Sequence, residues 1–381
     1  MKILTVDIGT GTQDIFLFDS LLGVENGYKL ILPSPTMMVR RRIQQATQRG
    51  QPVLLSGVIM GGGPSQWAAE DHLRAALPLY ATPDAARSFN DDLDAVRASG
   101  VTVISEDEAA RLPSSVVHIE MKDFDFAAIA AAFELFGISL SDLAAAAVAV
   151  FDHGNSPPDY SDRQFRFDYL DRQIRTSNRL SAFAFLSNDI PADMTRLQAV
   201  ARSAGALDFP LVVMDTAPAA VLGATFDPRI RTRQRVMIAN VGNFHTLAFR
   251  LGPTGIEGLF EHHTGFLDCA KLDRLLISLA DGSLTHAHVF GDQGHGALIY
   301  HDQPLGFPAD DYGVAVTGPR RSLMADSALR PYFAAPFGDM MITGCFGLLA
   351  ATADLIPSLY EHICPALTSP HANQRAPWDA D

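Results

Sequence analysis

The sequence predicts an α/β protein of two domains, on three observations. With 381 residues, the chain is long enough to form two hydrophobic cores. Apolar segments of strand length alternate with helical segments, and the second half repeats this alternation. Strands are expected near residues 53–60, 147–151, 211–214, 236–240, 246–251, 256–260 and 314–317. We place the domains at 1–185 and 186–367, followed by a polar, proline-containing tail, 368–381, that we expect to be disordered.

Composition and charge exclude several classes of protein. A net charge of −14 argues against binding to nucleic acid, whose phosphates require a basic surface. Three cysteines without paired spacing predict a reducing compartment and no disulfide framework. No apolar run is long enough to span a bilayer, and the first strand begins too early to leave room for a signal segment. These observations predict a cytoplasmic protein without a membrane partner.

A turn rich in glycine and threonine follows the first predicted strand. Gly9 and Gly11 permit a tight bend whose backbone N–H groups can face one anion, and Thr10 and Thr12 add hydroxyl donors. Asp7 precedes the turn and suits the hydrated magnesium ion that accompanies nucleotide phosphates. For this segment alone, an ordinary hairpin with a turn carboxylate is the alternative explanation.

Four later segments have related features. Residues 214–223 form a loop that enters a helix of small residues, and residues 236–247 form a second strand, glycine turn and strand. Residues 314–321 form a strand that ends in a glycine turn. Residues 336–351 form a loop followed by a helix rich in glycine and alanine.

In their order and spacing, the five segments resemble the superfamily of sugar kinases, heat-shock chaperone ATPases and actin. The resemblance implies two actin-like, ribonuclease H-like domains around a nucleotide cleft, with two small-residue helices crossing at the hinge. It also implies ATP and Mg²⁺ as ligands, with Asp7 at the metal. The residues implied for the nucleotide are Gly9, Thr10, Gly11, Thr12, Gly242, Asn243, Thr246, Thr264, Gly265, Gly318, Pro319 and Arg320.

The chain also departs from that superfamily. Asn240 stands where the second hairpin usually begins with aspartate, and bulky residues at 243–245 replace two glycines. A narrower resemblance, carried by residues 60–64, 241–246 and 317–321, is to bacterial and archaeal actin-like proteins labelled as pyruvate formate-lyase activating enzymes. A radical enzyme of that kind needs three clustered cysteines for an iron–sulfur cluster, whereas Cys269, Cys345 and Cys364 are far apart in the sequence.

Two further segments carry candidate functional residues. Asp152 and His153 end a strong apolar strand before a proline-rich loop, and either side chain would serve there as a base for an attacking oxygen. Gly61, Gly62 and Gly63 follow a buried strand, where three glycines let the backbone approach a second substrate. In both cases a simple turn is the alternative explanation.

The histidines raise the question of a metal site. His262, His263 and His295 lie near acidic residues, and His286 and His288 would share one face if they lay on a strand. Their spacing does not match a zinc motif, so we expect scattered core or loop histidines instead.

The sequence therefore predicts an ATP-binding protein that transfers or hydrolyses the γ-phosphate, as a kinase-like phosphotransferase or an ATPase. The phosphoryl acceptor would be a small molecule or water. No separate lid or substrate-binding domain is expected, which favours a small kinase. The alternatives are a slow nucleotide-dependent switch that regulates or reactivates a partner enzyme, and a metal- or cofactor-handling protein on the same scaffold.

Overall fold

The computed structural model describes residues 1–369 and Trp378, and the strands of this part form three sheets. The strands are β1 Lys2–Ile8, β2 Thr12–Asp19, β3 Tyr28–Pro33, β4 Val53–Gly57, β5 Leu79–Ala81, β6 Thr102–Val103, β7 Val117–Met121, β8 Leu143–Val150, β9 Ala184–Leu186, β10 Leu211–Asp215, β11 Val236–Val241, β12 His245–Gly252, β13 Gly255–His263, β14 Gly296–Ile299, β15 Ala315–Thr317 and β16 Tyr332–Phe333. The α-helices are α1 Pro35–Gln48, α2 Pro64–Arg74, α3 Pro83–Ala86, α4 Leu93–Ala98, α5 Glu106–Ala109, α6 Phe126–Glu134, α7 Asp162–Thr176, α8 Thr195–Ser203, α9 Thr216–Ala224, α10 Pro228–Arg231, α11 Cys269–Asp281, α12 His286–Gly291, α13 Thr343–Leu355 and α14 Pro357–Thr368.

The two larger sheets share one topology. The first has the order β3-β2-β1-β8-β10-β9, with β1, β2 and β3 antiparallel and with β8 and β10 parallel to β1. The second has the order β14-β13-β12-β11-β15-β16, with an antiparallel meander from β11 and with β15 and β16 parallel to it. In both sheets, therefore, the first strand of an antiparallel meander pairs on its other side with a parallel strand. This repeat is the ribonuclease H-like arrangement of actin-like proteins, and the predicted fold class is confirmed.

The first sheet extends beyond residue 185. Both β9 and β10 pair within it, and the second sheet begins only with β11. Sheet membership therefore changes between Asp215 and Val236. The division into 1–185 and 186–367 remains a prediction about folding units.

A third, smaller sheet lies between β3 and β8 in the sequence. Its strands are parallel in the order β6-β5-β4-β7, and they share a core that includes Ile43, Leu55 and Ile119. The described chain therefore has a third sheet with its own core in addition to the two large sheets. Strands β5 and β6 have only three and two residues, which is too short to show a strand period in the sequence.

Helices α9 and α13 cross at close range and match the two small-residue helices predicted for the hinge. A Cβ atom on Gly223 would overlap the carbonyl oxygen of Thr343, and one on Gly347 would overlap that of Ala219. The glycines therefore set the distance between the two helices.

One local prediction is wrong. The alanine-rich sequence of residues 141–146 predicts a helix, but Leu143–Val150 form β8, a central strand between β1 and β10. Alanine favours helix locally, and pairing on both sides with the buried sheet overrides that preference. His286 and His288 lie in α12 rather than on a strand.

The predicted tail, 368–381, lies outside the described residues except for Thr368, which ends α14, Ser369 and Trp378. Among the helices of the described part, none has the length and apolar character that crossing a bilayer requires.

Candidate functional site

A cleft of about 360 Å³ lies where the three sheets meet. Strand ends and turns of both large sheets line it, together with the loop after β4 and the first residues of α9 and α13. The lining includes these predicted site residues: Asp7, Gly9, Thr10, Gly11, Thr12, Gly61, Gly62, Gly63, Asp152, His153, Gly242, Asn243, Gly318 and Pro319. The predicted residues that are not part of the lining are Thr246, Thr264, Gly265 and Arg320.

The two glycine turns face each other across this cleft. In the β1–β2 turn, the Gly9 N–H donates a hydrogen bond to Thr12 O. In the β11–β12 turn, the Gly242 N–H donates to His245 O, and the donor–acceptor distance is 2.9 Å in both turns. A Cβ atom on Gly11 would lie only 2.6 Å from Asn243 Nδ2. The tips of the two hairpins are therefore in contact, and glycine at position 11 makes room for the Asn243 side chain.

Two buried carboxyl groups lie at the floor of the cleft. Asp7 and Asp14 are directly opposite each other in the β1–β2 ladder, and Asp7 accepts a 2.6 Å hydrogen bond from the Thr216 hydroxyl. Burial raises the pKa of Asp7 to about 6, and burial together with the charge of Asp7 raises that of Asp14 to about 8. Among the described residues, Asp14 Oδ1 has no hydrogen-bond partner. Two repelling carboxylates with a free oxygen suit a divalent cation.

Asp14 was not a predicted site residue, although the sequence held a signal for it. Two aspartates placed symmetrically about a tight turn become cross-strand neighbours when the flanking segments pair.

The third sheet supplies one wall of the cleft. The Asp123 side chain pairs with Arg196, whose Nε lies 2.7 Å from Oδ2, and Asp123 Oδ1 also accepts from Gly61 N–H. Arg196 in turn donates to the Phe151 carbonyl over 2.7 Å. The glycine segment 61–63 is thus held against the end of β8 by a half-buried ion pair.

Asp152 and His153 lie side by side but have different environments. Asp152 is buried, and its two carboxylate oxygens accept from Gly154 N–H at 2.8 Å and Leu197 N–H at 2.9 Å. Burial raises the pKa of Asp152 despite these bonds. The His153 side chain is 46% exposed and lies 3.7 Å from Asp91. Burial opposes protonation of His153, but the interaction with Asp91 and the charges of Asp152 and Asp162 together outweigh it and raise the pKa.

The strand end at Gly318, one of the residues that the resemblance implies for the nucleotide, is tightly packed. Gly318 has φ +97°, and a Cβ atom there would lie 2.5 Å from Asn240 Oδ1. Thr246 and Thr264 are buried and share a 2.9 Å hydrogen bond, whereas Gly265 and Arg320 are exposed. These last four residues therefore lie around the cleft rather than on its surface.

A buried ion network connects the two large sheets next to the cleft. Arg166 on α7 is fully buried, with Nε 2.6 Å from Glu261 Oε2 and Nη1 2.6 Å from Asp215 Oδ2. Glu261 lies on β13 of the second sheet and Asp215 on β10 of the first. Burial raises the pKa of Glu261 to about 7, although Arg166 opposes this. Sequence reasoning missed this network, because its members are 46 or more positions apart and have no common motif.

Several solved structures are similar to the chain over most of its length. The activator of the 2-hydroxyisocaproyl-CoA dehydratase from Clostridium difficile, with bound ADPNP, has 10% identity, a TM-score of 0.34, and coverage of 95% of this chain and 98% of that one. The ROK hexokinase from Thermus thermophilus has 11% identity, a TM-score of 0.30, and coverage of 92% and 98%. The ethanolamine utilization protein EutJ from Carboxydothermus hydrogenoformans has 11% identity, a TM-score of 0.31, and coverage of 91% and 89%. We assign the fold from the strand order of the two sheets, not from these scores.

A search of curated protein sequences found no match. A family model described as "Putative pyruvate format-lyase activating enzyme (DUF1786)" matches residues 60–323, which is well over half of the chain. The matched range includes the glycine segment after β4, the β11–β12 turn and the strand end at Gly318. The chain belongs to the DUF1786 family.

Proposed function

We propose that the cleft binds ATP with Mg²⁺ and that the protein transfers or hydrolyses the γ-phosphate. The observation that carries the proposal is the meeting of two glycine turns, each from the equivalent first hairpin of a ribonuclease H-like sheet. Two such turns on either side of one cleft can hold a phosphate chain between them, because backbone N–H groups at their tips are anion donors. A cleft of about 360 Å³ is large enough for a small ligand.

In this arrangement the tip residues Thr10, Gly11 and Asn243 are the donors for phosphate oxygens. Gly318 and Pro319 lie on the lining, with Gly318 packed beside Asn240 and Val241, and we place the nucleoside there. Thr246, Thr264, Gly265 and Arg320 act from behind the cleft surface, by supporting the second turn and the strand end.

Asp7 and Asp14 fit the magnesium ion that the nucleotide would bring. A cation relieves the repulsion between two buried carboxylates and satisfies the free Asp14 oxygen. When bound, magnesium neutralises charge on the phosphates. The protein's own contribution is to hold Asp7 in place through the Thr216 hydroxyl and the close approach of Gly344.

The acceptor would approach from the side of β8 and the third sheet. There, Asp152 and His153 would orient or deprotonate the attacking oxygen, and Gly61, Gly62 and Gly63 would contact a small-molecule acceptor. These roles rest on the position of the residues at the carboxyl end of β8, where ligands gather in open α/β sheets.

Isothermal titration with ATP, with and without Mg²⁺, tests the proposal. We expect binding that depends on Mg²⁺ in the wild-type chain, loss of this Mg²⁺-dependent binding in Asp7→Asn, and unchanged binding in the exposed control Asp302→Asn. Equal ATP affinity in Asp7→Asn and the wild type would contradict the metal assignment. Absence of binding in all three proteins would contradict the nucleotide proposal itself.

A specific observation also favours the second candidate, a slow nucleotide-dependent switch that regulates a partner enzyme. Asn243 occupies the space beside Gly11, and Phe244 packs on Trp67 with ring centroids 6.1 Å apart, so the second turn is crowded and bridges to α2. Asn240 also supplies an amide where a carboxylate would be the stronger metal ligand or base. ATP binding without turnover, in the presence of a metabolite mixture, would favour the switch over the phosphotransferase.

The family description names an activating enzyme, and the cysteines bear on its chemistry. An iron–sulfur cluster needs several thiolates around one centre. Cys345 is buried on α13 and donates to the Asp14 carbonyl over 3.0 Å, while Cys269 begins α11 and Cys364 lies on α14. These residues do not fit such a cluster, so any regulation of a partner would proceed through the nucleotide state.

A further inference from the structure

Three imidazole rings lie together beside the cleft. The ring centroids of His245, His263 and His295 are 5.0 Å (245–263), 4.9 Å (245–295) and 4.7 Å (263–295) apart. One nitrogen from each ring lies within 4.8 Å of the other two. With metal–nitrogen bonds of about 2.1 Å, three imidazoles around one ion have centroids roughly 5 Å apart. The spacing of these rings is therefore close to that of a bound set.

The backbone of the second sheet brings these residues together. His245 and His263 are directly opposite each other in the β12–β13 ladder, so their side chains emerge on the same face. His295 precedes β14, whose first residue pairs with Glu261. The three residues come from separate strands at one edge of the sheet, which explains why no zinc-like spacing appears in the sequence.

The chemical state of the rings suits metal binding. Burial is the main cause that lowers the pKa of all three histidines, with neighbouring cations lowering it further. The rings are therefore neutral near pH 7, and a neutral imidazole is the form that donates a lone pair to a metal. All three rings therefore favour the neutral form, in which they can act as metal ligands rather than as cations.

The buried polar groups around the rings are not satisfied without an additional ligand. Glu261 Oε1 lies 3.5 Å from His295 Nδ1 and 3.7 Å from His245 Nδ1. Among the described residues, neither Glu261 Oε1 nor His295 Nδ1 has a hydrogen-bond partner, and the Glu261 side chain is fully buried. Unsatisfied buried polar atoms are costly, so a ligand that draws the rings toward Glu261 and lets these two atoms pair would be favoured.

We propose that His245, His263 and His295 bind one divalent transition-metal ion of the zinc class, with Glu261 as a positioning residue. With the metal bound, closing the 3.5 Å and 3.7 Å separations would let Glu261 Oε1 accept the Nδ1–H of His295 and of His245, which leaves their Nε2 lone pairs for the metal, as carboxylates commonly do for ligating histidines. Three imidazoles are typical ligands for zinc and leave a position open for water or substrate. Because His245 also lines the cleft, that position is on the side of the proposed nucleotide site.

Metal titration of the full chain without an affinity tag tests the proposal. The protein is first freed of metal with a chelator and then titrated. We expect it to bind one Zn²⁺ per chain, and Co²⁺ bound in place of Zn²⁺ should give the intense visible absorption of a nitrogen-ligated, low-coordinate ion. His263→Ala and His295→Ala should each weaken binding at least roughly 100-fold, and Glu261→Gln about 10-fold or more. The matched control His118→Ala removes an exposed histidine outside the cluster and should bind like the wild type.

Two further measurements keep the test decisive. Thermal unfolding of each variant shows whether it folds, and His263 is only half-buried at a strand end, so its removal should leave the fold intact. Asp14→Asn identifies binding at the carboxylate floor of the cleft. The proposal is overturned if Co²⁺ gives no such absorption, if folded His263→Ala binds like the wild type, or if Asp14→Asn is the variant that loses the ion.

Discussion

At the scale of single residues, Asp152 and His153 differ in whether their side chains are hydrogen-bonded to backbone groups. Asp152 fixes the loop after β8 to α8. Among the described carboxylates, only Asp91 lies within ion-pair distance of the half-exposed His153 ring. The two substitutions should therefore have separable effects.

We expect both Asp152→Asn and His153→Ala to lower ATP turnover by roughly 10²–10⁴-fold with ATP affinity nearly unchanged, as for groups that act in the transition state. Asp152→Asn should also lower the free energy of unfolding by about 1–3 kcal/mol, because its amide leaves a buried backbone N–H without an acceptor. Single-turnover kinetics and denaturant unfolding measure the two effects. Wild-type turnover in both variants would remove the pair from the mechanism.

His72 gives the protein a pH-dependent stability at a position remote from the cleft. The ring is fully buried beneath the third sheet, between the Thr47 hydroxyl and the Pro78 carbonyl. Burial lowers its pKa below 6.5, so the unfolded chain takes up a proton first as the pH falls. Stability contributed by neutral His72 is therefore complete above the unfolded pKa, begins to be lost below it, and is fully lost once the pH has fallen through the lower folded pKa.

The expected result is that the midpoint of thermal unfolding falls by a few degrees between pH 7.5 and pH 5.5, and falls less in His72→Gln. The exposed His118→Gln is the control and should behave like the wild type. An identical pH dependence in His72→Gln and the wild type would show that other groups cause it.

At the scale of secondary-structure elements, the crossing of α9 and α13 is the most constrained contact. The Gly223→Ala substitution places a methyl group against the Thr343 carbonyl of α13, and rigid backbone on both sides cannot move aside. We expect a loss of at least about 1–3 kcal/mol in the free energy of unfolding, as for other overpacked cores. Gly306→Ala, with open space at its Cβ, should lie within about 0.5 kcal/mol of the wild type in the same denaturant assay.

The same crossing has a consequence for movement. Because the closest approaches between the two helices join backbone atoms at Gly223 and Gly347, we expect the crossing to act as the pivot between the two large sheets. If folded Gly223→Ala has wild-type stability, the helices are not as close as the glycines indicate and the pivot would have to lie elsewhere.

At the scale of the whole molecule, the cleft is bounded by three sheets, and we expect their relative positions to change when a ligand binds. We expect ATP with Mg²⁺ to reduce the radius of gyration in small-angle scattering, because the ligand would draw the two turns together. Asp7→Asn, which should not bind the complex, serves as the control and should show no change. An unchanged radius in the wild type despite measured ATP binding would indicate a rigid cleft and would weaken the switch as a function.

Much of the architecture follows from local sequence. The turns at 9–12 and 242–245 are predicted by glycines between apolar strands, and the hinge helices by runs of glycine and alanine. Each of these signals depends on neighbours within about ten residues, so it can be recognised without knowing the partners across the fold. The resemblance in order and spacing then predicted that the two turns would share a cleft.

The tertiary structure alone decided the rest. Asp14 becomes a neighbour of Asp7 only when β1 and β2 pair, and the third sheet forms from strands too short to recognise. The Arg166 network and the histidine cluster join segments tens of residues apart, and neither has a local period or motif. Burial shifts the pKa of these groups, and burial depends on long-range packing. The sequence by itself thus determined the scaffold and the turns, whereas the electrostatics of the site depend on which distant side chains exclude water together.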